Sequence, residues 1–338
     1  MHDGKRGELA LLSQIRSRAA QAAGSGLRLG IGDDCALLCP RAGEELAVTT
    51  DLSIAGRHFR LDWHSPEAVG HRTLARGLSD LAAMGARPIG AFLSLGLPRE
   101  LTKAAGRRKA WVDRFLDGLL ALAEAHKTPL AGGDLAESPV AVADIVLVGA
   151  VPKGKALLRS GARSGDLLYV TGSLGGAAAG LARLGELAGA AKPAAAQPLK
   201  IPKNLEALLA PHLYPQPRIA QGLWLQRRKL ATAALDLSDG LSTDLAHLCQ
   251  ESGVAAEVDA AALPLHPGAT LDQALNGGED YELLFAASPS ARLPRSIAGV
   301  RVTRIGRIVK PRAGQPAITL VTTQGKQPVS PRGWEHFS

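Results

Sequence analysis

The chain has 338 residues, 46% hydrophobic and 21% charged, enough to bury the cores of two domains of ordinary size. No apolar run approaches the roughly 18–20 residues of a membrane span, and three cysteines (Cys35, Cys39 and Cys249) are too sparse and odd a set for a disulfide framework, which fits a reducing cytoplasm. The formal net charge of +8 raises nucleic acid as a partner, but the densest basic runs, "GRRK" near Arg107 and "QRRK" near Arg227, carry no interleaved aromatics and read as solvated helix faces.

The N-terminal stretch "MHDGKRGELALLSQIRSRA" lacks the apolar segment of a signal peptide. It predicts a short amphipathic helix with Leu9, Leu12 and Ile15 on one face. "LRLGIG" reads as a strand ending in glycine, and "ELAVTTD" as a second. "SPEAVGHRTLARGLSDLAAMGA" carries a helical pattern from a Ser-Pro start, with Val69, Leu74, Leu78, Leu81 and Met84 near one stripe. A strand at "PIGAFLSLGLP", a long helix around "AWVDRFLDGLLALAEAH", the segment "TPLAGGD" and a strand at "VADIVLVGAV" follow.

The second half opens with a strand at "DLLYVTG" and a Gly/Ala-rich helix. Residues 185–217, rich in Ala and Pro, read as a surface excursion with one short helix. The strand "ATAALDLSD", the helix "GLSTDLAHLCQESG", strand-like "AAEVDA", then "GGEDYELLFAA" and "RVTRIGRIV" complete a second αβ unit. The expected division is residues 1–150 and 151–338, with the boundary near Gly149 to Lys153.

Aspartates recur at strand ends and helix starts: Asp33 and Asp34 in "GIGDD", Asp51 in "VTTD", Asp134 in "AGGD", Asp236 and Asp239 in "LDLSD", and Glu279 and Asp280 in "GGED". Asp80 in "GLSD" lies within a helical pattern, and Asp244 crowds Asp236 and Asp239. Each alone has a plain structural reading, as a turn residue after Gly or a helix N-cap. Their repetition beside glycines, which permit close backbone approach, points instead to a cation among them. Oxygen ligands without His or Cys at metal spacing suit Mg²⁺ shared with phosphate. No Walker loop, G-x-G-x-x-G after a strand, or G-x-S-x-G elbow is present.

In this order, "LGIGDDCALL", "VTTDLSIAGRHF", "LSDLAAMGA", "AGGD", "LLRSGARSGD", "HLYPQPRI", "LDLSDGLSTDL", "GGEDYEL" and "RGWEHF" resemble the thiamine-monophosphate kinase family over nearly the whole chain. The resemblance implies a two-domain α/β (α+β) aminoimidazole-ribonucleotide synthetase-like fold. Two N-terminal mixed sheets would pair into a β-barrel in a cytoplasmic homodimer, with ATP between the domains. It implies direct transfer of the γ-phosphate of ATP to thiamine monophosphate, with no covalent nucleophile and no phosphoenzyme.

By the same resemblance Asp34, Asp51, Asp80 and Asp236 are ligands of several Mg²⁺ ions, assisted by Thr49 and Thr50, with Asp134 and Asp239 as further metal ligands. Gly133, Arg159 and Ser238 match ATP contacts. His58, Glu279 and Trp334 match substrate-binding positions. Two departures stand out: "Leu135-Ala136-Glu137" replaces the threonines that usually follow "AGGD", and Gly77 replaces an Asn before "LSD". Other readings are a related ATP-using synthetase, a nucleotide-binding protein without catalysis, and a nucleic-acid binder suggested by charge alone.

Overall fold

The computed structural model describes residues 8–19, 26–104, 109–190 and 198–333. Two units emerge: Met1–Leu81 with Arg87–Lys153 and Leu187–Lys200, and Ala82–Ala86 with Gly154–Glu186 and Ile201–Ser338. Both are mixed αβ. Among the described residues no helix is long and apolar enough to cross a membrane.

The first unit runs α1 (Glu8–Ala19), β1 (Leu27–Leu29), β2 (Leu37–Leu38), β3 (Glu44–Ile54), α2 (Pro66–Ala83), β4 (Arg87–Leu97), α3 (Trp111–Ala125), β5 (Leu130–Glu137) and β6 (Val142–Pro152). Its four-stranded sheet has the order β3-β6-β4-β5, with β4 and β5 parallel and the other pairs antiparallel. Leu74 and Leu78 of α2, Phe115 and Leu119 of α3, and Ile145 and Leu147 of β6 are fully buried. The Ser-Pro start holds: the Ser65 hydroxyl accepts the Ala68 N–H at 3.2 Å, and Pro66 supplies the first helical φ.

Helix α1 forms where the sequence predicts it, but its buried side differs. Leu11, Ile15 and Ala19, four apart, are buried, whereas Leu9 is 81% exposed. A four-residue spacing keeps one face along a short helix better than the three-residue spacing of Leu9, Leu12 and Ile15.

The second unit runs β7 (Leu167–Thr171), α4 (Gly176–Ala190), α5 (Glu206–Leu213), α6 (Ile219–Arg228), β8 (Ala231–Asp236), α7 (Leu241–Ser252), β9 (Ala255–Asp259), α8 (Leu271–Asn276), β10 (Leu283–Ala287), β11 (Ser296–Ile297), β12 (Val300–Val309), β13 (Ile318–Thr322) and β14 (Gly325–Val329). The sheet order is β14-β13-β9-β12-β7-β10-β8, with β11 on β12. Leu168, Leu235, Leu245, Leu248, Leu284 and Ile305 anchor its core.

Two sequence readings change here. The short helix expected in the surface excursion is α5, but its Leu209, His212 and Leu213 are buried, so the stretch is not all surface. The β13–β14 hairpin has no counterpart in the sequence reading. Its strands are short, and Pro328 sits in the edge strand β14.

Candidate functional site

In the first unit, strand alternation sorts the "VTTD" residues. Thr49 and Asp51 turn toward α2, where the Thr49 hydroxyl donates to Asp80 Oδ2 and Asp51 Oδ1 lies 3.4 Å from an Arg76 guanidinium nitrogen. Arg76 and Asp80 share that face because they are one helical turn apart. The Thr50 side chain points to the opposite face of β3 and donates to Asp144 Oδ1 at 3.0 Å. Thr49, Asp51 and Asp80 are therefore brought together, and the Thr50 hydroxyl is not.

Asp51 Oδ2 is buried and has no hydrogen-bond partner among the described residues. Burial raises the Asp51 carboxyl above its ordinary range, with Arg76 opposing the shift. A buried, unmatched carboxylate oxygen is a costly arrangement unless a cation is meant to meet it. Among the described residues no group of three or more His, Cys, Asp or Glu side chains is disposed to hold a metal ion. This donor set fits Mg²⁺, which commonly takes one or two carboxylates and completes its shell with phosphate oxygens and water.

Asp34 and Asp134 occupy a different part of the unit. Both line a hollow of about 440 Å³ together with Gly133, Cys35, Phe92 and Ile15. Both carboxylates are exposed, and Asp33 is used locally, accepting the Asp34 N–H at 2.9 Å.

The flanking glycines have packing reasons. At Gly133 (φ +147°) an added Cβ would lie 1.8 Å from the Leu93 carbonyl oxygen, at Gly32 2.5 Å from the Arg16 guanidinium, and at Gly278 2.6 Å from the Ser238 carbonyl oxygen. At Gly133 and Gly278 the space a Cβ would need is filled by the protein's own backbone, whereas at Gly32 it is met only by the movable end of Arg16.

Of the two departures, Glu137 and Gly77 have identifiable contacts, and nothing in the structure explains Leu135 and Ala136. Glu137 is exposed and paired with Arg99 at 2.7 Å, and that hydrogen bond holds its carboxyl below the usual range. A Cβ on Gly77 would sit 2.6 Å from Leu147 Cδ1, so glycine lets α2 lie close on the sheet.

His58 is half-buried and its Nδ1 accepts the Ile54 N–H at 3.1 Å, which fixes the ring in the loop after β3. Its carbonyl accepts from Arg72 at 3.3 Å.

In the second unit, Asp236 ends β8 and is buried. Ser238 and Asp239 follow in the turn before α7, both half-buried. Asp244, to which the sequence reading assigns no role, organises this turn. Its Oδ2 accepts the N–H groups of Ser238 (3.1 Å), Asp239 (3.1 Å) and Gly240 (3.0 Å). Burial, then the charges of Asp236 and Asp239, push its carboxyl up to about 8. Part of the acid crowding is therefore structural: one carboxylate folds the loop that presents the others.

The "GGEDYE" segment lies against the same turn. The Glu279 N–H donates to the Ser238 carbonyl at 2.7 Å, and the Tyr281 N–H to that of Leu237 at 2.9 Å. Glu279 and Tyr281 both adopt left-handed backbone (φ +59° and +50°), a conformation non-glycine residues hold only when their surroundings over-determine it.

Asp280 accepts the Gly175 and Ala177 N–H groups at 2.6 and 3.1 Å, tying the segment to the start of α4. Burial pushes its carboxyl up to about 7. Buried Glu282 forms a two-pronged pair with Arg218 at 2.6 and 2.5 Å and accepts the Thr171 hydroxyl at 2.6 Å. Arg218 belongs to the "HLYPQPRI" stretch, where its neighbours in sequence point to no role. Arg159 is exposed; the preceding carbonyl, of Leu158, accepts the Ala234 N–H of β8 at 2.8 Å. Trp334 lies outside the described residues.

The sequence matches the AIR synthase related protein N-terminal domain over residues 32–151 and its C-terminal domain over residues 163–316. The thiamine-monophosphate kinase of Escherichia coli K12 is 38% identical, covering 98% of both chains. The crystal structure of thiamine-monophosphate kinase from Stenotrophomonas maltophilia K279a is 40% identical, with a TM-score of 0.77 over 93% of this chain and 96% of that one. A structure of AaThiL complexed with AMPPCP and TMP is 30% identical, with a TM-score of 0.73 over 100% and 99% of the two chains. With identity sustained from end to end, and with both halves matching, the chain belongs to the thiamine-monophosphate kinase family of AIR synthase related proteins.

Proposed function

We propose that the acidic groups of the two units are Mg²⁺ ligand sets serving a direct, in-line phosphoryl transfer. The activity is that of the family: ATP-dependent phosphorylation of thiamine monophosphate, giving thiamine diphosphate and ADP. The observation that carries the metal reading is the buried, unpartnered Asp51 Oδ2 beside the Thr49–Asp80 pair. Asp34 and Asp134 in the first unit, and Asp236 and Asp239 in the second, are further ligands in this reading. Thr49 and Thr50 assist through oxygen atoms in this reading, Thr50 through its carbonyl, because its hydroxyl is given to Asp144.

Bound Mg²⁺ would offset the repulsion between donor and acceptor phosphates and help set their alignment. The residues do the rest by position. Asp51 and Asp80 hold their carboxylates on rigid elements, a sheet strand and a helix, and Arg76 limits the free charge on Asp51. In the second unit the turn folded by Asp244 presents Ser238 and Asp239, with Ser238 and Arg159 as ATP contacts. Gly133 presents backbone to the nucleotide. His58, Glu279 and Trp334 recognise thiamine monophosphate, Glu279 accepting hydrogen bonds from its aminopyrimidine. The acceptor phosphate is already ionised at neutral pH, so no strong base and no covalent intermediate are needed.

Leu46, Val48 and Leu52 lie exposed on one face of the edge strand β3. They support pairing of two such sheets in a homodimer. Sparse, unpaired cysteines, with Cys35 and Cys39 exposed and Cys249 buried, support a cytoplasmic setting.

Purified protein incubated with ATP, Mg²⁺ and thiamine monophosphate should yield thiamine diphosphate and ADP in equal amounts, with activity lost on chelation. Turnover of a different acceptor, with none of thiamine monophosphate, would overturn the proposal in favour of a related synthetase.

A further inference from the structure

Glu279 has its main chain fixed twice over, by the bond to the Ser238 carbonyl and by its neighbour Asp280 at the start of α4. Its side chain is partly exposed, at 29%. A long carboxylate on a fixed backbone still has three rotatable bonds, so recognition of a flat heterocycle needs something to aim it.

One group within reach is His212. It belongs to α5, is 2% exposed, and places Nδ1 3.6 Å from Glu279 Oε2. That is longer than a hydrogen bond, and it is an ion pair only when the imidazole is protonated. The backbone that carries the imidazole is packed closely against α4. An added Cβ on Gly180 of α4 would lie 2.9 Å from His212 Cβ, so the absence of a side chain there opens the slot that α5 fills. Nearby, the Tyr214 N–H closes the end of α5 on the Ala210 carbonyl at 2.8 Å.

We infer that His212 is a positioning residue for thiamine monophosphate binding: its buried Nδ1 orients the Glu279 carboxylate toward the substrate. This rests on the reading of Glu279 as a substrate contact. His212 touches no reacting atom in this account, so its loss should appear in binding of one substrate and not in the chemical step. Because Nδ1 is the atom that faces Glu279, Asn is the conservative replacement. An Asn amide reaches about where Nδ1 stands, whereas Phe keeps the ring and removes the nitrogen.

The test is steady-state kinetics of the full chain and its variants with Mg²⁺, varying thiamine monophosphate and ATP in turn. His212→Phe should raise KM for thiamine monophosphate about 5–20-fold, the scale of one lost polar contact to a carboxylate. Its kcat and its KM for ATP should stay within about threefold of the parent, and His212→Asn should recover most of the loss. Equal defects in the Phe and Asn variants, or a KM for ATP that rises in step, would mean a structural role only and overturn the proposal. Glu279→Gln separates the underlying reading. An unchanged KM for thiamine monophosphate in that variant removes Glu279 from substrate binding, and this proposal with it. A raised KM in Glu279→Gln beside a normal one in His212→Phe overturns the positioning role alone.

Discussion

Asp244 turns its carboxylate back across the start of α7 to accept the Asp239 N–H at 3.1 Å, so one acid is bound to the backbone of a candidate ligand. Its carboxyl is pushed from 3.8 up to about 8 by burial and by Asp236 and Asp239. Between these values the folded chain holds a proton that the unfolded chain has released, so this group lowers stability as pH rises across that window. Asp244→Asn keeps an acceptor oxygen and removes the charge. Measured by thermal unfolding without Mg²⁺, the variant should gain relative to the parent from pH 5 to pH 8, by on the order of 1–3 kcal/mol. Added Mg²⁺ should shrink the gain, because a cation offsets the same repulsion. A difference that does not change with pH would contradict this account.

Thr49 and Thr50 are neighbours on opposite faces of β3, and kinetics should separate them. Thr49→Val removes a hydroxyl bonded to Asp80 and should lower kcat at least tenfold. Thr50→Val should leave kcat within about threefold. Asp51→Asn and Asp80→Asn should each cost roughly 10²–10⁴ in kcat, the scale of lost electrostatic organisation in a transfer site. Their far-ultraviolet circular dichroism should match the parent, and Asp51→Asn should be no less stable without metal, because its charge is buried.

Gly77 and Leu147 form a fitted pair, and the fit is testable by a mutant cycle. Gly77→Asn drives a side chain into Leu147 and should destabilise the fold by about 1–3 kcal/mol. Combined with Leu147→Ala, the second change should cost less than it does alone, because the new side chain fills the space. Strict additivity in denaturant unfolding would show that the two do not share a contact.

Half-buried Arg218 and buried Glu282 form an ion pair, and Glu282 also accepts the Thr171 hydroxyl. Arg218→Met leaves the Glu282 charge uncompensated and should cost about 3–5 kcal/mol. Replacing both at once, as Arg218→Met with Glu282→Gln, should cost less than the sum of the singles. Urea denaturation of the three variants gives the answer.

Val48 is 64% exposed on β3 beside Leu46 and Leu52. Val48→Asp should shift the sedimentation coefficient from dimer toward monomer at micromolar concentration, while a change of similar size at exposed Glu124 of α3 should not. A parent protein that sediments as a monomer would overturn the proposed pairing.

Much of this molecule is legible along the chain. The helix from Ser65, the glycine-rich corner before α4 and the alternating strand "ELAVTTD" follow from local rules of capping, turn chemistry and period. The motif series from "GIGDD" to "GGEDYEL" carries the family, although the expected placement at strand ends and helix starts holds for Asp236 and Asp239 and not for Asp51 and Asp134, which lie inside β3 and β5; Asp80 lies within α2, as its helical pattern predicts. What the chain alone does not reveal is how each acid is used. Asp51, Asp244 and Asp280 are alike on paper. Folding leaves one with an unmatched buried oxygen, gives another three N–H donors and sets the third at a helix start, because burial and partners come from segments distant in sequence. Strand alternation separates Thr49 from Thr50. The contacts from Gly77 to Leu147 and from His212 to Glu279 join elements whose meeting no local pattern specifies, and only tertiary packing decides them.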